Sequence, residues 1–103
     1  MKLVWTQEAI ERLFEIEDFI SANSPKRAHE FVDEIIEHAE TILPETPSAG
    51  RMVPEIQNAG IRELIFKNYR IVYRVNKNNI EILTVFEGHK LLRTDEIEKS
   101  ERQ

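Results

Sequence analysis

Apolar residues recur along this chain with two different periods, and the change from one to the other divides it roughly in half. Between Ile10 and Leu43 they return every three or four positions, and between Ile61 and Val85 they tend to alternate with polar ones. The first period is that of a helix with one apolar stripe and the second that of a strand with one apolar face. In the run Tyr69 to Val75, residues Tyr69, Ile71, Tyr73 and Val75 fall on one face, with Arg70, Val72 and Arg74 on the other. The flanking apolar runs are set off by short polar breaks, Lys67-Asn68 on one side and Asn76 to Asn79 on the other, short enough for hairpins. Residues 61–90 therefore predict a three-stranded antiparallel meander with a greasy face and a guanidinium face.

The first half supplies a cover for the greasy face. Lys2 to Trp5 alternates briefly and reads as a short strand. Thr6 follows as a helix cap, with Glu8 suited to the positive first turn. Ile10, Leu13, Phe14, Glu17 and Ile20 form a stripe, flanked by Ala9, Ile16 and Phe19, and Glu11, Arg12, Glu15 and Asp18 form the polar back. A second helix starts at Pro25 behind Ser24, because proline lacks the N–H that the first helical position leaves unpaired. Its apolar positions run from Ala28 through Phe31, Val32, Ile35, Ile36, Ala39 and Ile42 to Leu43, and Pro44 stops it. The short link makes the two an antiparallel hairpin. Residues 44–60 hold three of the four prolines with Gly50 and Gly60, and read as a long connecting loop. Loops of that length inside a small domain usually carry a function or meet a partner.

The order is β-α-α-β-β-β, an α+β fold with a helical hairpin on one face of a small, mainly antiparallel sheet. Residues 1–93 form a single domain and residues 94–103 a charged tail. The first strand belongs at an edge or beside the last one. With 103 residues the chain can bury roughly 60–70 % of its unfolded surface without staples. It has no cysteine, which excludes disulfides and thiolate metal sites, and no apolar run long enough for a membrane span. Its first residues turn polar too soon for a signal peptide, so a soluble, cytoplasmic protein is expected.

The net charge of −5 argues against a general nucleic-acid coat, yet it is unevenly spread. Residues 1–43 carry 4 basic and 10 acidic side chains, whereas residues 61–93 carry 7 basic and 3 acidic. The meander's cations are where a macromolecular partner is expected, since the arginine fork suits carboxylates and phosphates. Glu63 or Glu81 could neutralise some of them. His29, His38 and His89 have no metal-ligand spacing, and there is no phosphate loop or nucleophile elbow, so neither a metal nor a cofactor is expected. The helical carboxylates read as solvated faces.

Four motifs in order carry a resemblance. They are Ala49-Gly50-Arg51-Met52-Val53-Pro54-Glu55, Ile61-Arg62-Glu63-Leu64, Tyr69 to Val75, and Ile80 to Val85. Together with the helical hairpin ahead of them they resemble the RelE/ParE superfamily of bacterial toxins, over nearly the whole chain to about Arg93. The resemblance implies the toxin of a type II toxin–antitoxin module, neutralised by a small cognate antitoxin. RelE-like members cleave mRNA on the ribosome with sheet-face cations and usually a C-terminal tyrosine or histidine. ParE-like members poison DNA gyrase.

Arg70 matches the arginine kept by both branches, and Arg62 stands near a lysine of the nucleases, but Leu64 is apolar where a second lysine would be. Where ParE relatives commonly show H-G-x-R, this chain has Glu87-Gly88-His89-Lys90, and no tyrosine follows Tyr73. The resemblance thus implies a ParE-like gyrase poison. The alternatives are a ribosome-dependent endoribonuclease using Arg62, Arg70, Arg74, His89 and Lys90, or an inactive relative that still binds its antitoxin. Arg51, Arg70, Arg74, Glu87, Lys90 and Arg93 are the expected binding residues, with no small-molecule cofactor and no membrane partner.

Overall fold

The computed structural model describes residues 1–88. Its elements are β1 (Lys2–Trp5), α1 (Gln7–Ser21), α2 (Pro25–Ile42), β2 (Arg51–Met52), β3 (Ile61–Phe66), β4 (Tyr69–Val75) and β5 (Asn79–Glu87). The sheet order is β1-β5-β4-β3-β2. The meander β3-β4-β5 is antiparallel, and β1 lies parallel to β5 at one edge, with Leu3 opposite Ile80 and Trp5 opposite Ile82. The helical hairpin, the meander and the place of β1 beside the last strand are as expected. The fifth strand is not. β2 is two residues long, too short to show a period, and pairs with β3 through Arg51–Glu63 and Met52–Arg62.

Both helices start at caps legible in the sequence. Thr6 accepts from the Ala9 N–H and Ser24 from the Arg27 N–H, each at 3.2 Å. The Thr6 hydroxyl also donates to the carbonyls of Ile82 at 2.8 Å and Leu83 at 3.2 Å. Those carbonyls sit where the β4–β5 pairing slips: Val72 faces Thr84 while Tyr73 faces Ile82, so Leu83 is the extra residue of a bulge. One buried hydroxyl thus ties the start of α1 to an irregular point of the central sheet. Thr6→Val keeps the shape and removes both roles. It is expected to cost about 1–3 kcal/mol in urea unfolding, and a loss below about 0.5 kcal/mol, the scatter of a neutral surface change, would contradict the assignment.

The main core lies between helices and sheet. Leu13, Ile16, Phe31, Ile35 and Ala39 pack there against Leu64, Tyr69, Ile71, Tyr73, Ile80, Ile82 and Val85. The tyrosine face of β4 therefore points at the helices, as the alternation required. The stripe of α1 is divided, however. Ala9, Leu13 and Ile16 go into the core, whereas Ile10 (41 % exposed) and Phe14 (62 %) stay outside it. A helix lying on a sheet buries only a sector of its circumference, and the apolar arc of α1 is wider than that sector.

The other sheet face is where the expectation of an open, cationic surface fails. Val53, from the connecting segment, joins Ile61, Val72 and Leu83 in a second small core, with Ile56 and Phe86 packed against it. The segment 44–60 is thus a strap that reaches the far side of the sheet at Val53 and Ile56. The same segment holds the first residue of the chain, whose amino group donates to the Pro44 carbonyl at 2.8 Å.

Candidate functional site

Arg70 projects from β4 on the side away from the helices and meets the strap. It is 5 % exposed. Its Nε donates to Oε1 of Glu63 at 2.6 Å, and its two terminal nitrogens grip both carboxylate oxygens of Glu55 at 3.0 and 2.7 Å. The guanidinium also lies 4.8 Å from the ring centre of Phe86. Glu63 is 1 % exposed and uses its second oxygen to accept from Arg51 Nε at 2.7 Å. The result is a chain of alternating charge, Arg51–Glu63–Arg70–Glu55, that fastens strap and β2 to β3 and β4. The hydrogen bonds to Glu55 hold the Arg70 pKa above its ordinary value, burial works against them, and Glu63 adds to them.

The strap is fixed at a second point. The Tyr73 hydroxyl donates to the Pro47 carbonyl at 2.7 Å and accepts from the Gly50 N–H at 2.9 Å, while Arg62 donates to the Gly50 carbonyl at 2.9 Å. Gly50 lies so close to β3 that a Cβ there would stand 2.5 Å from the Glu63 carbonyl oxygen and 2.6 Å from the Tyr73 hydroxyl. Glycine is required for that approach. The residues of the G-R-x-V-P-E loop and of the two strands it crosses thus contact one another directly.

Burial raises the phenol pKa of Tyr73, opposed by the Gly50 N–H and the Arg62 charge; it likewise raises that of Tyr69, with Glu87 adding to the effect. A phenol whose folded pKa lies above its unfolded one holds its proton more tightly in the folded state. Its contribution to stability is complete below the unfolded value of 10.0 and is lost as pH rises through the higher folded value. Urea stability is therefore expected to fall with pH above about 10, and to fall less steeply in Tyr73→Phe. Equal slopes in the two proteins would contradict this.

Of the other expected site residues, Arg51 pairs with Glu63 and keeps 62 % of its side chain in solvent. Arg74 is half-buried, opposite Glu81 on β5, and Glu87 ends β5 opposite Tyr69. His89, Lys90 and Arg93 lie outside the described residues, as does the tail 94–103. His38 packs at a tilt against Phe66 with ring centres 4.8 Å apart, and His29 lies 3.4 Å from Asp33. Among the described residues no cluster of three His, Cys, Asp or Glu could hold a metal ion, and no helix is long and apolar enough to cross a membrane.

The structure brings Arg51 and Arg70 together through a shared carboxylate, and it puts Arg62 on the strap. It does not gather Arg62, Arg70 and Arg74 into one open cluster. Glu63, expected to neutralise some of the meander's cations, does so for Arg70 and Arg51, since its place on β3 puts its carboxylate on the same face as the arginines of β4. Glu55, on a segment without a period, is the partner that reading the cations alone leaves out.

The family model described as "ParE toxin of type II toxin-antitoxin system, parDE" matches residues 3–92. Among solved structures, a chain of the chromosomal ParDE TA system from P. aeruginosa is similar with a TM-score of 0.73 and 27 % identity; the match covers 84 % of this chain and 95 % of that one. Comparison with curated proteins returns no match.

Proposed function

Because the chain belongs to the ParE toxin family of type II toxin–antitoxin systems, we propose that it is a growth inhibitor that acts by binding DNA gyrase, without bond-making chemistry of its own, and that a cognate antitoxin neutralises it. The observation that carries the choice of target is the state of Arg70. A nuclease of this fold needs sheet-face cations free to hold phosphate and groups free to move a proton. Here three nitrogens of Arg70 already donate to carboxylates, and the strap lies over it. Withdrawing one partner from such a buried pair costs about 3–5 kcal/mol. An RNA phosphate would have to supply that before gaining anything. This favours a protein target over a transcript.

The purified chain is expected to inhibit supercoiling by gyrase and to accumulate cleaved DNA complexes, while primer extension on transcripts from induced cells shows no new ends. New ends within codons, together with unaffected gyrase, would instead favour the ribosome-dependent endoribonuclease and remove the proposal.

A further inference from the structure

Apart from the groove between α1 and α2, where Ile10 and Phe14 face Val32 and Ile36, the structure has a second hollow on the other flank of α2. It is a trough of about 380 Å³, with Glu34, Glu37, His38 and Ile42 of α2 on one wall and Phe66 and Lys67 on the other. That second wall is a sheet edge. β2 pairs with Arg62 and Glu63 of β3 and goes no further along it. The two-residue turn Lys67-Asn68 makes Phe66 and Tyr69 the closing hydrogen-bonded pair of the β3–β4 hairpin. Hydrogen-bonding direction alternates along a strand, so Leu64 and Phe66 turn their backbone groups toward β4 and Ile65 turns its own outward. The Glu63 carbonyl, two residues earlier, points outward as this requires and lies against Gly50. Among the described residues no strand lies beside Ile65, whose side chain is 45 % exposed on the face away from the trough. The trough is also short of one cation. Glu34 is met by Lys67 at 3.5 Å and by Arg27 at 3.6 Å. Glu37 is exposed and has no ion pair among the described residues.

We propose that β3 is the docking edge for gyrase: an extended basic segment of that enzyme adds a strand beside Ile65 and lays a lysine or arginine against Glu37. The owner of the segment rests on the gyrase reading above; its chemistry rests on the edge. An added strand exchanges hydrogen bonds with the outward N–H and C=O of Ile65 and sets an apolar side chain beside it. The two flanking residues of that strand point into the trough, because side chains opposite one another on paired strands share a face. The residue opposite Phe66 meets an aromatic ring next to Lys67, which suits an apolar side chain. The residue opposite Leu64 is clear of Lys67, so the cation belongs there. The pattern is apolar, apolar, basic. An enzyme that grips DNA carries basic segments, since neutralising phosphates takes Lys and Arg. This chain offers the complementary field, with a net charge of −5 and ten acidic against three basic side chains on its helices. A second copy of the chain is disfavoured. Two-fold pairing about Ile65 would bring Lys67 of each copy level with the other's Glu63, where Arg51 already sits. Cations placed at a sheet edge oppose such pairing.

Two arms test this. In the first, isotope-labelled full-length chain meets synthetic peptides of about six residues that carry the triad, one with lysine and one with glutamate at the basic position. The lysine peptide is expected to slow amide exchange at Ile65 and to bind about tenfold tighter than the glutamate peptide. Glu37→Lys is expected to abolish that preference. In the second arm, gyrase supercoiling is assayed with the wild type, Ile65→Pro, Glu37→Lys and Asp18→Lys. Proline at position 65 removes a donor that the fold leaves outward, and edge strands tolerate proline there. Ile65→Pro and Glu37→Lys are each expected to need about tenfold more protein for half inhibition. Asp18→Lys makes the same change of charge on the exposed side of α1 and is expected to inhibit as the wild type does. Glu37→Lys is a surface change, so it decides the matter if Ile65→Pro does not fold. Equal binding of the two peptides, or full inhibition by Glu37→Lys, overturns the proposal. So does a wild-type chain that sediments as a dimer and dissociates on Ile65→Pro, or loss of antitoxin binding in these variants while gyrase inhibition stands. A wild-type chain that leaves gyrase untouched removes the target reading, and the owner named here with it. The peptide arm then decides separately whether the edge takes a basic strand.

Discussion

Glu63→Ala is expected to destabilise the chain by about 3–5 kcal/mol, a large share of the roughly 5–15 kcal/mol that holds a domain of this kind together. The reason is the position of the carboxylate. Glu63 is buried on β3 with one oxygen on Arg70 and the other on Arg51. Removing it takes the carboxylate off the Nε of an arginine that is 5 % exposed, leaving Glu55 to hold the terminal nitrogens. Arg51 loses its anchor too, and Arg51 is half of β2. Glu63→Gln keeps the size and loses the charge, so its cost is expected to be smaller but still clear. Urea unfolding of the three proteins decides it, and a loss below about 1 kcal/mol in Glu63→Ala, as for an exposed ion pair, would show that the network is not a structural element.

The second large effect is expected at Gly50. In Gly50→Ala the new Cβ meets the β3 backbone at 2.5 Å, and backbone cannot swing aside as a flexible side chain would. Either the strap lifts or β3 bends. Overpacking of this kind costs about 1–3 kcal/mol, and the hydrogen bonds that Gly50 makes with Tyr73 and Arg62 are each worth about 1 kcal/mol more. A total of about 3–5 kcal/mol follows from those ranges. The damage should also be local at first. Amide exchange is expected to quicken across residues 44–60 and in β2 while α1 and α2 stay protected. Tyr73→Phe in the Gly50→Ala background should add less than it costs alone, because its bond to the Gly50 N–H is already gone and only that to the Pro47 carbonyl is left to lose. Additive losses would mean that the two residues do not share one anchoring point.

The strands and helices were legible because each has a period. The caps at Thr6 and Ser24, the stop at Pro44 and the tyrosine face of β4 followed from residue type and spacing alone. What the pattern could not show was the strap. Residues 44–60 have no period, and β2 within them is set by where its neighbour lies. The fate of Arg70 was hidden for the same reason: on β4 it alternates as a surface residue would, and only a segment distant in sequence makes it an interior one. Likewise the stripe on α1 gave the helix correctly but not which part of an overly wide apolar arc the sheet would take, so the groove at Phe14 became visible only with the packing. The motifs that carry the family resemblance, G-R-x-V-P-E among them, are in contact with one another in three dimensions. Much of what they encode is how the strap is held.

Arg70 is thus assigned an internal duty, and the paired replacement Glu63→Leu/Arg70→Met separates that duty from a role in action. Buried ion pairs exchanged for apolar side chains of similar volume are often neutral or stabilising. The double variant, in which the partly exposed Arg51 and Glu55 each lose a partner but no charge is left buried, is therefore expected to fold with a smaller loss of stability than Glu63→Ala, and to inhibit gyrase supercoiling as the parent does. A variant that is folded at the assay temperature but no longer acts on gyrase would mean that the guanidinium of Arg70 touches the target, and that the face beneath the strap opens when the toxin works.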